Sequence, residues 1–314
     1  MPDPLPYYHQ DTDMHLYHCY GLTIASDLVL PELNPATDNQ PTVQIHRGVV
    51  DPAGLAESDQ VGPFLQATEQ QLWLKIPEVA CFLIRKGNEI IYDPVPGIDD
   101  DSVRVFMLGS CLGALLFQQG YLVLHGNAFR VGDECVICVG HSGAGKSTLA
   151  AAMMQRGHAI IADDVCPIDE QGLAISGMPR IKLWRDSADK LGIATEGLAR
   201  IRPELDKFNY PLGAAFCEQA LPVKAVYILN AKKEYSTFRS EPLVGMDKFN
   251  PLKVNTYRFQ YMQGMKLDKQ HLQRVSQLAT RIHVNRLYRP SGSFLINELA
   301  DFILDDIQHL TADA

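Results

Sequence analysis

Between residues 20 and 92 apolar and polar positions alternate in short runs: Tyr20 to Ile24, Val43 to His46, Gln71 to Ile76, Cys81 to Arg85 and Glu89 to Tyr92. Such runs predict strands with one buried face. Their connections are rich in Pro, Asp, Asn and Gly, and Lys86-Gly87-Asn88 reads as a hairpin turn. The period then changes. Val103, Phe106, Met107, Leu112, Leu115 and Leu116 recur at helical spacing over Ser102 to Gln118, with Asp101 or Ser102 available as N-cap. This helix is expected to lie on the sheet that follows it.

Tyr121 to His125 and Ala128 to Val131 alternate again as strand, Gly132-Asp133 supplies a two-residue turn, and Glu134 to Val139 continues as a buried strand. Ala159 to Ala162 and Val223 to Leu229 predict two more apolar strands. Gly192 to Leu212 is polar, mixed in charge and without period, and reads as a mobile loop region with some helix. Two helical stripes close the chain, one through Leu272, Val275, Leu278, Ala279 and Ile282, the other through Leu295, Leu299, Phe302, Ile303 and Ile307. There is no internal repeat and no low-complexity tract.

The segment Asp93-Pro94-Val95-Pro96-Gly97, followed by Asp99-Asp100-Asp101, divides a β-rich part from a part in which strands and helices mix. Two domains are therefore expected, a β-rich one over 1–98 and an α/β one over 99–314. A length of 314 residues suits two domains and permits a substantial core.

Composition narrows the function classes. With 46% hydrophobic and 21% charged residues the chain reads as soluble and globular. Its 28 basic residues against 37 acidic ones give a net charge of −9, and no run of four Lys/Arg occurs, which excludes a nucleic-acid-coating role. The uncharged stretch Val105 to Leu124 is broken by Gln118, Gln119 and Gly120, so it reads as helix, turn and strand rather than a membrane span. Seven scattered cysteines point to a reducing, cytoplasmic compartment. The opening residues carry neither a basic region nor an apolar core, so no secretory signal is expected and the mature chain is expected to begin near Met1.

The chemistry gathers after the hairpin. Gly140-His141-Ser142-Gly143-Ala144-Gly145-Lys146-Ser147 fits G-x-x-x-x-G-K-[ST], with an apolar strand before it and the helix former Thr148-Leu149-Ala150-Ala151-Ala152 after it. Glycines let several backbone N–H groups aim at one anion, and the new helix adds its positive end. Gly140, Ser142, Gly143, Ala144, Gly145, Lys146, Ser147 and Thr148 are the candidate nucleotide contacts. Lys146 would bridge the outer phosphates, and Ser147 would offer its hydroxyl to Mg²⁺.

Strand 159 to 162 delivers Asp163 and Asp164 at its end. If it runs parallel to 134 to 139, both strands open on the same sheet edge and the acids face the phosphates. One carboxylate can then bind metal while the other accepts the proton of an attacking hydroxyl. With Gly132-Asp133 as the turn and no bulge, Val131 opposes Glu134 and His125 falls opposite Gly140, at the mouth of the phosphate loop. There it could pair with Asp163 or Asp164. A strand antiparallel to the loop strand makes the sheet mixed, unlike that of a Ras-like GTPase.

Leu124-His125-Gly126-Asn127, the loop 140–147, Arg156-Gly157-His158 and Ala162-Asp163-Asp164-Val165 together resemble the C-terminal kinase domain of the HPr kinase/phosphorylase family, over roughly residues 121 to 168. Tyr20-Gly21-Leu22 to Leu30-Pro31-Glu32-Leu33, Ile181-Lys182-Leu183-Trp184 and Arg286-Leu287-Tyr288-Arg289-Pro290 are similar to the stand-alone HPr-kinase-like proteins, some of which modify lasso-peptide precursors. The resemblance implies an α/β mixed-sheet P-loop domain akin to phosphoenolpyruvate carboxykinase, ATP with Mg²⁺, and phosphoryl transfer to a serine of a peptide or small protein. It further implies Asp163 as catalytic base, Asp164 as its acidic partner and a metal contact with Ser147, and His125 in the proton network. Thr148 stands where the bifunctional enzymes carry Glu, which argues against the reverse phosphorolysis. Arg202, Lys207 and Asn209 lie in the region of the family's Arg/Asn-bearing signature without matching it.

Cys135-Val136-Ile137-Cys138 reads C-x-x-C, but residues three apart on a strand point to opposite faces, so buried structural thiols are expected. His15, His18 and Cys19 lack a second cluster at metal-ligand spacing. Arg180, Lys182 and Arg185 surround Trp184, either to hold a phosphate or the acceptor peptide or as solvated surface. The leading reading is an ATP-dependent serine kinase with no nucleic-acid or membrane partner. The alternatives are a nucleotide-responsive regulatory or assembly module with slow hydrolysis and a small-metabolite kinase. Homo-oligomerisation is left open.

Overall fold

A computed structural model describes residues 14–56, 58–202, 204–292 and 294–312. The opening residues that bear on a secretory signal lie outside them. Two nine-stranded sheets and one two-stranded ribbon carry the chain.

The first sheet is built from residues 15–94 and is mixed: Leu22–Ser26 pairs in parallel with Val43–Arg47, which pairs in parallel with Glu89–Pro94. The strands Gln71–Ile76, Ala80–Arg85 and Glu89–Pro94 then run as an antiparallel meander. Lys86 and Gly87 make its turn with φ of 54° and 67°. Residues read as connections supply further strands, His15–Cys19 and Leu65–Ala67 among them.

The predicted helix runs from Asp100 through one π-helical turn, Met107–Cys111, to Gln118. Its cap is Asp99, not Asp101 or Ser102: the Asp99 Oδ1 accepts the Ser102 N–H at 2.8 Å. The helix touches the strand that follows it, as expected, but packs on the first sheet as well. Met107, Leu108, Leu112 and Leu115 join Leu72, Phe82 and Ile84 in one core, so the helix fills the first sheet. The physical reason is the apolar girth of this segment, which is buried all round between that sheet and the helix Phe259–Gly264. After a turn at Gln119–Gly120 the chain enters the short strand Leu122–Leu124. Among the described residues no helix is long and apolar enough to cross a membrane.

The second sheet positions the chemistry. The hairpin of Gly126–Val131 and Glu134–Val139 keeps an unbroken register from Val131 opposite Glu134 to Gly126 opposite Val139. Glu134–Val139 pairs in parallel with Leu221–Lys232, which pairs in parallel with His283–Pro290. On the other side Ile160–Asp163 pairs antiparallel with Gly126–Val131. It therefore runs in the same direction as Glu134–Val139, one strand removed, and both end on one edge. The helices Lys146–Gln155 and Ile296–Ala312 cover one face of this sheet, and Asp268–Ala279 covers the other. The architecture is a mixed-sheet α/β domain with a β-rich N-terminal part. Cys138 lies in one of these cores and Cys135 in the other, the opposed orientation expected of C-x-x-C on a strand, and all seven cysteines are free.

The region 192–212 is more ordered than expected. It ends in the strand Lys207–Pro211, which pairs with Arg180–Trp184 as the separate ribbon. Its apolar anchor is Phe208, buried beneath the guanidinium of Arg185, 4.7 Å from the ring centre.

Candidate functional site

The edge where Glu134–Val139 and Ile160–Asp163 end is also where the helix Lys146–Gln155 begins. Gly140 turns the chain out of its strand with φ of 150°, and a Cβ there would stand 2.9 Å from the carbonyl oxygen of Leu229. Only glycine lets the loop pass this close to the neighbouring strand. Gly145 caps the helix from the left-handed region with φ of 95° and brings no capping side chain. The N–H groups of the first helical turn, including those of Lys146, Ser147 and Thr148, are left for an anion. Ser142 and Gly143 form the exposed tip of the loop. The Thr148 hydroxyl turns away to Ser187 Oγ at 3.0 Å, so its contact with a nucleotide is limited to the backbone.

Lys146 is buried, and its Nζ donates to the carbonyls of Gly140 and His141 at 2.8 and 3.2 Å. Burial lowers its pKa, against the pull of Asp164 and Asp163. The ammonium thus closes the loop on itself and lies beside the acids. The side-chain amide of buried Asn127 donates to the Lys146 carbonyl, which ties the helix start to the hairpin.

The acid pair is asymmetric. Asp163 Oδ1 accepts from Ser147 Oγ at 3.0 Å, and Oδ2 accepts the Lys182 backbone N–H at 2.8 Å. Burial, reinforced by the charge of Asp164, raises the Asp163 pKa. Asp164 Oδ2 accepts from Lys182 Nζ at 2.8 Å, and Oδ1 lies 3.2 Å from His125 Nδ1. Burial alone would raise the Asp164 pKa, but Lys182 and His125 outweigh it and hold the carboxyl well below its ordinary value. Two adjacent carboxyls are thereby pushed apart, one poised to take a proton and one kept ionised. The backbone contributes as well. Asp164 has φ of 76°, held by its N–H to the Gly126 carbonyl at 2.7 Å, a conformation that costs a non-glycine residue about 1 kcal/mol or more.

His125 lies just beyond the last hairpin pair, where the bulge-free register places it. Its N–H donates to the Asn255 carbonyl at 2.8 Å, and its ring packs 5.8 Å from that of Tyr257. Of the two partners left open by sequence, it takes Asp164. The carboxylate and carbonyl of Asp164 are both acceptors and both face Nδ1, so this nitrogen is the donor of the contact.

Lys182 was one of three cations whose role the sequence left open. It is the centre of the acid pair, touching one carboxylate through its backbone and the other through its side chain. Arg185 instead lies 3.5 Å from Asp206 at the surface. Arg202 stacks on Phe106, away from the acids. Among the described residues no three His, Cys, Asp or Glu side chains gather as a metal cage. Ser147 and the Asp163 carboxylate it touches, with Asp164 next in the chain, nevertheless suit a hard, hydrated cation that takes most ligands from water and phosphate oxygens.

Comparison with known proteins finds relatives for the segment that holds this site. Residues 119–183 match the model of the HPr Serine kinase C-terminal domain. An HPr kinase/phosphorylase from Chlorobium phaeovibrioides is 27% identical over 116 residues, 34% of each chain. One from Lactobacillus gasseri is 29% identical over 97 residues, 28% of this chain and 30% of its own. The chain thus spans about a third of the length of the curated relatives it matches. A solved Hpr(Ser) kinase/phosphatase from Coxiella burnetii aligns with 61% of this chain and 99% of its own at 14% identity, with a TM-score of 0.32. The resemblance to HPr kinases is borne out over residues 119–183.

Proposed function

We propose, from a chain whose residues 119–183 carry an HPr-kinase-type C-terminal segment, that this protein is an ATP-dependent kinase acting on a serine hydroxyl of a peptide or small protein. The observation that carries the reading is the divided acid pair at the mouth of the phosphate loop: Asp163 accepts a hydroxyl hydrogen bond from Ser147, while Asp164 is held between Lys182 and His125. A nucleotide sensor needs no such division, whereas a hydroxyl acceptor needs a base.

Loop amides and Lys146 hold the outer phosphates, and Lys146 leaves the carbonyls of Gly140 and His141 to do so. Asp163 Oδ1 already accepts a hydroxyl hydrogen bond, from Ser147. When an acceptor serine replaces that donor, its proton passes to Asp163 as its oxygen bonds to the γ-phosphorus, and the bond from that phosphorus to the bridging oxygen breaks. Ser147, released, and Asp164 are the groups that would hold Mg²⁺. The ion when bound neutralises charge developing on the phosphate oxygens. Asp164, fixed by Lys182 and His125, stays negative throughout and keeps the imidazole and ammonium in place. Forward transfer is the proposed direction, since Thr148 replaces the family's acid. A lasso-peptide precursor is one acceptor of the right class. Seven free thiols accord with a cytoplasmic setting.

The test is transfer from labelled ATP by two variants. Asp163→Asn should abolish transfer and leave nucleotide affinity within a few fold, while Lys146→Ala should weaken both. An Asn variant that transfers at the parental rate would overturn the assignment of the base.

A further inference from the structure

The ribbon that supplies Lys182 carries more positive charge than the acid pair uses. Its register sets Lys182 opposite Asn209 and Trp184 opposite Lys207. Paired residues, and residues two apart on one strand, share a face, so Arg180, Lys182, Trp184, Lys207 and Asn209 all lie on the side from which Lys182 reaches Asp164. Lys146 and Lys182 balance Asp163 and Asp164. Arg180 and Lys207 are in excess.

Neither forms an ion pair among the described residues, and the carboxylate that bears most on Lys207 is Asp163. Arg180 is 8% exposed; its Nη2 donates only to the thioether of Met178 at 3.3 Å, and its Nε has no partner. It sits at the deep end of the ribbon, where its charge is felt by Cys19 and Tyr20. The Lys207 ammonium lies 5.5 Å from the Trp184 ring centre. Burial depresses the pKa of Lys207, and Asp163, Lys182, Asp164 and Arg180 are the charges that bear on it. A buried guanidinium lacking a carboxylate is costly. In a chain of net charge −9, two uncompensated cations on one face beside the phosphate loop form a site that an anion would complete.

We propose that Arg180 and Lys207 form an anion subsite on the acceptor side of the acid pair, taking a carboxylate or phosphate group of the acceptor and setting its hydroxyl toward Asp163. The identity of the bound molecule as acceptor rests on the kinase reading above; the binding of an anion does not. The subsite is distinct from the phosphate loop, whose donors are Lys146 and the first helical turn. It selects acceptors with a negative group near the serine, since a neutral neighbour leaves both cations uncompensated.

The test is calorimetric titration of the full chain, saturated with Mg²⁺ and a non-hydrolysable ATP analogue, with inorganic phosphate and separately with acetate. One equivalent of anion should still bind. Half-buried Lys207→Gln should weaken it tenfold or more, the loss of one charge-assisted hydrogen bond. Arg180→Met should remove it and Arg180→Lys restore part of it. Unchanged nucleotide affinity and circular dichroism would establish that all three variants fold. Binding of phosphate alone identifies a phosphoryl group as the ligand, and binding of acetate as well identifies a carboxylate. Loss of anion binding on nucleotide saturation, or parental affinity in Lys207→Gln, overturns the proposal. Should the nucleotide itself not bind, the kinase reading fails, and comparing phosphate titrations of nucleotide-free parent, Lys207→Gln and Arg180→Met still decides whether the subsite exists.

Discussion

Lys182→Met removes the ammonium 2.8 Å from Asp164 Oδ2 and leaves that carboxylate with His125 as its remaining side-chain contact among the described residues. Lys182 and Asp164 side chains are 16% and 27% exposed, so the pair stands closer to the buried than to the solvated limit. At an effective dielectric of about 20 the gross attraction at this distance is about 6 kcal/mol. Desolvation offsets much of it, and breaking one side of a buried pair costs about 3–5 kcal/mol where a solvated pair costs about 1 or less. A loss of about 3 kcal/mol follows, roughly 5–10 °C in melting temperature for a chain of this size. The assay is urea denaturation of Lys182→Met, Asp164→Asn and the double variant, since the cycle isolates the pair from the packing of the lysine stem. The coupling should be about 2 kcal/mol at neutral pH. Because the pair depresses the Asp164 pKa, its contribution is full above the unfolded value of about 3.9 and fades as pH falls through the folded one. The variants should therefore converge with the parent under acid. A coupling below about 0.5 kcal/mol at pH 7 would refute the placement of Lys182 as the anchor of the acid pair.

Asp163→Asn should stabilise the nucleotide-free protein. The raised Asp163 pKa means the folded state holds this proton more tightly than the unfolded chain, so the wild type loses stability as pH rises from about 3.9 through the folded value. The gap between variant and parent, read from melting curves at pH 4 and 7.5, should widen with pH. Gly140→Ala should lose nucleotide binding altogether and destabilise by about 1–3 kcal/mol, because the added methyl meets the Leu229 carbonyl at a backbone angle that disfavours side chains; equilibrium dialysis and denaturation measure the two effects. His125→Ala should slow transfer about ten- to a hundredfold at saturating ATP with nucleotide affinity within a few fold, as the imidazole touches Asp164 and not the loop.

What could be read from sequence follows the reach of each interaction. The strands of the central hairpin are local and apolar, and the two-residue turn fixes their register, so the position of His125 was legible from residue numbers alone. The loop and acid pair were legible because spacing along one strand-loop-helix-strand unit determines where they end. The strand His283–Pro290 was not, since its inward residues do not alternate strictly and Arg286 and Arg289 interrupt the apolar run. Arg180–Trp184 and Lys207–Pro211 pair with each other rather than with a large sheet, and polar residues fill the face that looks on the acids. The helices Phe249–Val254 and Phe259–Gly264 are short, one containing Pro251 and the other ending at Gly264, and they showed no periodic signal. The role of Lys182 depends on a contact across 18 residues and an intervening ribbon, which no local pattern encodes. One available signal was the i, i+2 repeat of Arg180, Lys182 and Trp184, which marks a strand face carrying two cations.

The most direct test of the central claim follows the γ-phosphoryl group itself. The full chain is incubated with Mg²⁺, γ-labelled ATP and serine peptides with and without a flanking acidic residue, and the products are separated by mass spectrometry. The divided acid pair predicts label esterified to the serine oxygen in the parent and absent from it in Asp163→Asn. Label released solely as inorganic phosphate by the parent, with every peptide unmodified, would contradict it.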